Sequence, residues 1–236
     1  MDFNEFEHLT KTLFPETDGE RTERFRALGP LYTEWNSKIN VISRKDMDGL
    51  YPHHVLHSLA IASYIRDEMP ELYGRLVSPE GGTAATFLDL GTGGGFPGIP
   101  LAILFPGADF TLCDSVGKKI LVASEVAKAC GLANVRAVNA RAESLGDRFD
   151  FIASRAVAPL DRLLTWVRGR YDKGVFCLKG GDVAEEIAEA MGRFRLPKGS
   201  VHVRKVGDMF LAGGFADNYF NGKLLIFIEG HKNQRK

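Results

Sequence analysis

Between residues 84 and 191 short apolar runs alternate with helix-period stretches, and that alternation leaves few folds open. AATFLDL (84–90), ADFTLCD (108–114), NVRAVN (134–139), RFDFIAS (148–154) and GVFCLKG (174–180) read as buried strands. Helical patterns follow at 99–105, 116–130, 158–168 and 183–191. Taken as five strand–helix units, they predict an α/β fold: a parallel sheet with helices on both faces. SVHVRKV (200–206) and KLLIFIEG (223–230) add two strands with no helical pattern between them, an expected antiparallel hairpin at one edge. The expected sheet is Rossmann-like and seven-stranded.

The front of the chain has a different period. FNEFEHLTKTLF (3–14) is amphipathic. Residues 19–39 place Phe25, Leu28, Tyr32, Trp35 and Ile39 three or four apart, with Pro30 a possible kink. HHVLHSLAIASYI (53–65) follows Pro52, a good first-turn residue. GRLVSPEGGT (74–83) reads as a linker. The expected division is a helical segment over 1–80, packed on a catalytic domain over 81–236.

The 236 residues suffice for a large core, and no apolar run approaches the ~20 residues of a membrane span. The start, MDFNEFEHLT, lacks the apolar stretch of a secretory signal. Cys113, Cys130 and Cys177 are an odd number at no metal-ligand spacing, so buried thiols in a reducing cytoplasm are expected. The net charge of zero hides an asymmetry: −6 over residues 1–100 and +6 over 101–236. A polyanion would meet the second half, although an ordinary solvated surface explains the count equally well.

Five glycines fall within Gly91–Gly98, directly behind the first strand. Such a loop brings backbone N–H groups close to a ligand at a helix start. Gly93–Gly98 matches the G-x-G-x-x-G of dinucleotide enzymes, which by itself is weak. Asp89, two residues before Gly91, repels a pyrophosphate and suits a cation. S-adenosylmethionine carries a sulfonium and an amino group. Asp114, ending the second strand, can hold two ribose hydroxyls, and Arg141-Ala142-Glu143 can flank an adenine. Three sites at three successive strand ends make one crevice. The plainer reading is that Asp89 caps the loop and Asp114 the next helix.

These residues also resemble a known family. DLGTGGGFPGIPLAI (89–103), DSVGKK (114–119), RAES (141–144), SRAVA (154–158) and LKGG (178–181), behind WNSKINVIS (35–43) and HVLHS (54–58), are similar to the bacterial 16S rRNA guanine-N7 methyltransferases, also called glucose-inhibited division protein B. The resemblance covers roughly residues 30–230. It implies a class I S-adenosylmethionine-dependent methyltransferase fold. It implies a cytoplasmic enzyme whose partner is 16S rRNA in the small ribosomal subunit, and contacts to the cofactor from Gly91, Phe96, Ala142, Glu143 and Arg155. Asp89, Gly93 and Asp114 join that set on the physical argument. His57 stands where the family has Asp in H-x-x-D-S.

Guanine N7 has a free lone pair and needs no base to remove a proton, so a site without a strong catalytic signature is expected. No catalytic residue is assigned; Arg155 and Lys179 are positioning candidates. Arg155 binds the ligand's carboxylate or guanine O6, or forms an ion pair with Glu143 or Asp150. Lys179 reaches RNA phosphate or is simply solvated. Lys118, Lys119, Arg162, Arg193 and Arg195 are further phosphate candidates. His53 and His57, four apart, have no third ligand, so no metal is expected. Asn36 and Asn40 cap a helix or reach a base. A monomer is expected. The rival readings are a nicotinamide-dependent oxidoreductase, against which Asp89 argues, and a non-catalytic RNA-binding module, against which the intact loop argues.

Overall fold

The computed structural model describes residues 1–78 and 83–230. Helix α1 (Phe3–Leu13) opens on a capping box in which Asp2 and Glu5 satisfy each other's backbone N–H groups. Helix α2 (Gly19–Lys38) contains Pro30, which cannot donate to the Arg26 carbonyl. The Tyr51 hydroxyl donates instead, at 3.2 Å from Arg26 O and 3.3 Å from Phe25 O, and the helix runs on. A 3₁₀ turn (Arg44–Gly49) and a π-helical turn (Leu50–Leu56) lead into α3 (His57–Glu68). The expected helix from residue 53 therefore begins as π-helix.

Helix α4 (Pro70–Val77) occupies the first part of the stretch expected to be a linker, with Leu72, Tyr73 and Leu76 buried. Residues 79–82, and with them the expected boundary at 80/81, lie outside the described residues. The apolar side chains of the helical front and of one sheet face form one core: Phe6, Leu28 and Leu59 share it with Phe87, Phe151 and Phe176.

The sheet comprises β1 (Ala85–Leu90), β2 (Ala108–Asp114), β3 (Val135–Asn139), β4 (Phe149–Arg155), β5 (Tyr171–Gly180), β6 (Val201–Lys205) and β7 (Lys223–Glu229). Its order is β3-β2-β1-β4-β5-β7-β6. Strands β1 to β5 are parallel, and β7 runs antiparallel between β5 and β6. The final hairpin thus sits at an edge as expected, with its last strand innermost. Phe110, Phe87, Phe151, Phe176 and Phe227 stack across successive strands of one face, with centroids 4.6–5.6 Å apart.

Helices α5 (Gly98–Leu104) and α6 (Gly117–Ala129) cover that face, where Leu101 and Val126 join the same core. Helices α7 (Leu160–Trp166) and α8 (Ala184–Phe194) cover the other, where Leu163 and Ala190 pack with Leu88, Ile152 and Val175. The expected five units are four: after β3 the chain makes only a 3₁₀ turn (Ala142–Ser144) before β4. A short helix α9 (Val206–Phe210) and two 3₁₀ turns join β6 to β7, where no helix was expected. Among the described residues no helix is long and apolar enough to cross a membrane.

Candidate functional site

The parallel register sets Leu90 beside Cys113 and Ser154, Asp114 beside Asn139, and Arg155 beside Leu178. The carboxyl ends of β1, β2 and β4 thereby share one rim. A cavity of about 530 Å³ opens there. Leu90 and Gly91 of the first strand end line it, with Cys113 and Asp114 of the second. Ala142 and Glu143 of the 3₁₀ turn, Arg155 and Val157 after β4, and Trp166 complete the wall. Lys119 stands at its side. The size suits a small-molecule ligand, and the position is the crevice at the switch point of an open α/β sheet. The unit without a helix after β3 is where this cavity lies.

The glycine loop is fixed from three directions. Gly91 and Thr92 donate their N–H groups to Cys113 O at 2.8 and 3.0 Å. Gly93 donates to Asp114 Oδ2 at 3.0 Å. From the helical front, the Tyr32 hydroxyl donates to Gly94 O at 2.7 Å. Asn36 accepts from the N–H groups of Val41 and Ile42 at 2.8 and 2.9 Å, and a Cβ on Gly94 would stand 2.8 Å from Val41. Asn36 is therefore a buried brace behind the loop and not a base reader. Gly91 and Gly93 have φ of +70° and +57°, a region that side chains rarely adopt. A Cβ on Gly91 would run into Val157, whereas one on Gly93 would meet open space.

Asp89 is fully enclosed and stands inside the loop, away from the cavity wall. Its Oδ2 accepts from Thr92 Oγ1 at 2.5 Å and from Gly98 N at 2.7 Å. The plainer reading, a loop cap, is what its geometry displays in place of a charge facing the ligand. Burial pushes its carboxyl up to about 7 against those two hydrogen bonds, and Oδ1 is buried without a partner. Asp114 both caps and faces the cavity: Oδ1 accepts from Val116 N at 2.9 Å, and each oxygen keeps a lone pair for a hydroxyl.

Phe96 is buried, and its ring carries other side chains instead of lining the cavity. Tyr32 lies 4.8 Å from it, His54 5.4 Å, and the Arg155 guanidinium sits over its face at 5.0 Å. Arg155 pairs with neither Glu143 nor Asp150. Its Nη2 donates to His54 Nδ1 at 3.1 Å, and Nη1 lies 3.5 Å from His53 O. Asp150 is engaged by Lys173 at 2.9 Å and by Thr86. Burial lowers the Arg155 pKa, which stays far above neutrality for a guanidinium.

Lys179 is neither solvated nor free. Its Nζ donates to Ala158 O at 2.8 Å and forms an ion pair with Glu186, which also accepts from Leu160 N. It ties the end of β5 to α7 and α8. Arg193 is paired with Asp161 at 2.6 Å. Lys118, Arg162 and Arg195 are exposed. The three cysteines are free and buried, and burial pushes the Cys177 thiol up to about 12.

A second layer escaped the sequence. Asp46 bridges His53 Nδ1 at 2.6 Å and His54 Nε2 at 2.7 Å. Tyr219, between β6 and β7 where none of the motifs quoted above lies, stacks on His53 at 3.9 Å and donates to His53 O at 3.1 Å. His57 is buried against Tyr219 and Phe220, and burial holds its pKa down to about 3, so it is neutral. The one available signal was the clustering of Asp46, His53, His54 and His57 within a dozen positions.

The fold is that of known methyltransferases. The magnesium protoporphyrin IX methyltransferase of Synechocystis, solved with bound SAM, superposes with a TM-score of 0.55 at 14% identity, over 94% of this chain and 97% of that one. The ribosomal protein L11 methylase of Lactobacillus delbrueckii gives 0.50 at 19% identity, over 73% and 77%. In sequence, the ribosomal RNA small subunit methyltransferase G of Porphyromonas gingivalis is 52% identical over 188 residues, 76% of this chain and 79% of that protein. The protein of the same name from Parabacteroides distasonis is 42% identical over 95% of this chain and 90% of its own length. The family described as "GidB: rRNA small subunit methyltransferase G" matches residues 21–207, which spans the glycine loop, Asp114, Glu143, Arg155 and Lys179, and the chain belongs to that family.

Proposed function

We propose that this chain transfers the methyl group of S-adenosylmethionine to N7 of a guanine in 16S rRNA, in the decoding-region loop of the small subunit. The observation that carries the reading is the cavity at the ends of β1, β2 and β4, lined by the left-handed Gly91 and walled by Asp114, Glu143 and Arg155. Those residues fit the cofactor. Gly91 lets a ligand approach the backbone at the cavity, and the space over Gly93 is open. Asp114 offers carboxylate oxygens to a ribose diol. Ala142 and Glu143 flank the adenine from the 3₁₀ turn, and Arg155 meets the one anionic group of the ligand, its carboxylate. Asp89 acts by fixing the loop, and Phe96 by carrying Arg155.

The cofactor supplies an electrophilic methyl group on a sulfonium. Guanine N7 presents a lone pair in the plane of the base, so this chain removes no proton and instead holds acceptor and methyl in line. No buried thiol takes part: Cys177 is enclosed and un-ionised at neutral pH. Exposed Lys118, Arg162 and Arg195, with Lys119 at the cavity edge, are phosphate contacts for the RNA, whereas Lys179 and Arg193 already have carboxylate partners. The chain is read as a monomer working beside the ribosome in the cytoplasm.

The test is methyl transfer. Small subunits from a strain lacking this gene are incubated with the protein and labelled S-adenosylmethionine, and the rRNA is cleaved chemically at N7-methylguanine. One new break in the decoding-region loop is expected. Label at another atom or in another RNA overturns the assigned target. No label anywhere overturns the reading.

A further inference from the structure

Arg155 is held in an unusual way. It is half-buried, yet no carboxylate lies within ion-pair distance among the described residues. Its guanidinium rests on the face of Phe96, on the lone pair of His54 Nδ1 and near the carbonyl of His53. All three supports are uncharged. A cation supported this way keeps donor capacity for a ligand, because no carboxylate among the described residues pairs with it directly and Asp89 and Asp46 act on it only at a distance.

The arrangement requires one form of His54. A guanidinium only donates, so Nδ1 must accept from Arg155 and bear no proton. Asp46 Oδ2 only accepts, so Nε2 must carry the hydrogen. The other oxygen of Asp46 takes the Nδ1–H of His53 at 2.6 Å. The two imidazole hydrogen bonds outweigh the effect of burial and keep the Asp46 carboxyl below its ordinary value. Burial, with Arg155 beside it, lowers His54 to about 4, so the ring is neutral at physiological pH. Asp46 touches neither Arg155 nor the cavity.

We propose that Asp46 and His54 are positioning residues for Arg155: Asp46 fixes the His54 tautomer, and His54 aims an un-neutralised guanidinium at the carboxylate of the bound S-adenosylmethionine. This rests on the cofactor reading above. The logic parallels the aspartate of a hydrolase triad, which sets the tautomer of the histidine that does the work. Replacing Asp46 with Asn leaves one acceptor for two imidazole N–H groups and puts an amide donor in place of the other; with that donor at His54 Nε2, the Nδ1–H form of His54 is favoured and donor is set against donor at Arg155.

The experiment is calorimetric titration of the full chain with two probes, S-adenosylmethionine and its analogue lacking the carboxylate. Wild type is expected to prefer the first by about tenfold or more, the range of a charged hydrogen bond. His54→Leu loses about tenfold in affinity for S-adenosylmethionine and almost nothing for the analogue. His54→Asn, whose Oδ1 can replace the Nδ1 lone pair, recovers to within about threefold. Asp46→Asn weakens S-adenosylmethionine alone in the wild-type background, and adds little in the His54→Asn background. A purely structural role predicts equal losses for both probes, which overturns the proposal, as does an Asp46→Asn loss of the same size in both backgrounds. Thermal melting of each variant shows whether it is folded. A wild type that binds both probes equally well overturns the assignment of Arg155 to the carboxylate; a wild type that binds neither overturns the cofactor reading itself.

Discussion

Arg155 and Lys179 end neighbouring strands, and the protein treats their charges in opposite ways. Lys179 is half-buried against Glu186 and the Ala158 carbonyl, so its ammonium is matched within the protein and holds β5 to α7 and α8. Arg155 rests on an aromatic face, a neutral imidazole and a carbonyl, and lines the cavity. One cation has a carboxylate partner within the protein; the other has none among the described residues and lines the cavity. Residue type and place in the sheet are therefore poor guides to function: two basic residues at adjacent strand ends look alike until their partners are seen.

The largest change to this contrast comes at Gly91. Gly91→Val forces a β-branched residue to φ +70° and drives it into Val157, two residues beyond Arg155. Loss of S-adenosylmethionine binding by about a hundredfold or more is expected in a titration, together with a lowered melting temperature. Lys179→Met attacks the other end. It leaves Glu186 without its cation and is expected to destabilise the fold by about 1–2 kcal/mol in denaturant unfolding. A normal stability for that variant would show that the ion pair is dispensable.

Asp89→Asn sharpens the electrostatics around Arg155 through pH. His54 and His57, lowered by burial to about 4 and about 3, are neutral in the fold and bind protons more readily unfolded. From pH 6.5 down to 5 the unfolded state therefore gains protons, and each histidine removes about 2 kcal/mol of stability. Asp89, raised by burial to about 7, has the opposite sign: the fold binds its proton first, so stability rises as pH falls from about 7 to 4. Asp89→Asn abolishes this offset, and its melting temperature is expected to fall more steeply than that of wild type between pH 7 and 5. The smallest effect is at Tyr219. Tyr219→Phe keeps the stack on His53 and loses the hydroxyl's hydrogen bond to the His53 carbonyl and its longer contact, 3.4 Å, to His57 Nδ1, for about 1 kcal/mol in unfolding.

Much of the fold was legible because buried parallel strands are continuous apolar runs. Residues 108–114 coincide with β2, and α1, α2 and α6 match their patterns to within a residue or two at each end. Helix α4 was hidden because Gly74 and the nearby Pro and Gly residues outweighed Leu72, Tyr73 and Leu76. The missing helix after β3 was masked by the regularity of its neighbours. Gly91, Asp114, Ala142, Glu143 and Arg155 could be placed at one rim, where they line the cavity, since each ends or follows its own strand. The enclosure of Asp89 was not readable, because it depends on Thr92 and the N-terminus of α5 folding back over it. The Asp46–His54–Arg155 line was not readable. It joins residues about a hundred positions apart, and no local pattern encodes such a contact.

The contrast between the two cations comes down to one paired measurement: the affinity of Arg155→Met and of Lys179→Met for S-adenosylmethionine, titrated side by side. A loss of about tenfold or more for the arginine variant, with the lysine variant within about twofold of wild type, is the predicted result. Equal losses in the two variants, or a loss confined to Lys179→Met, would contradict it.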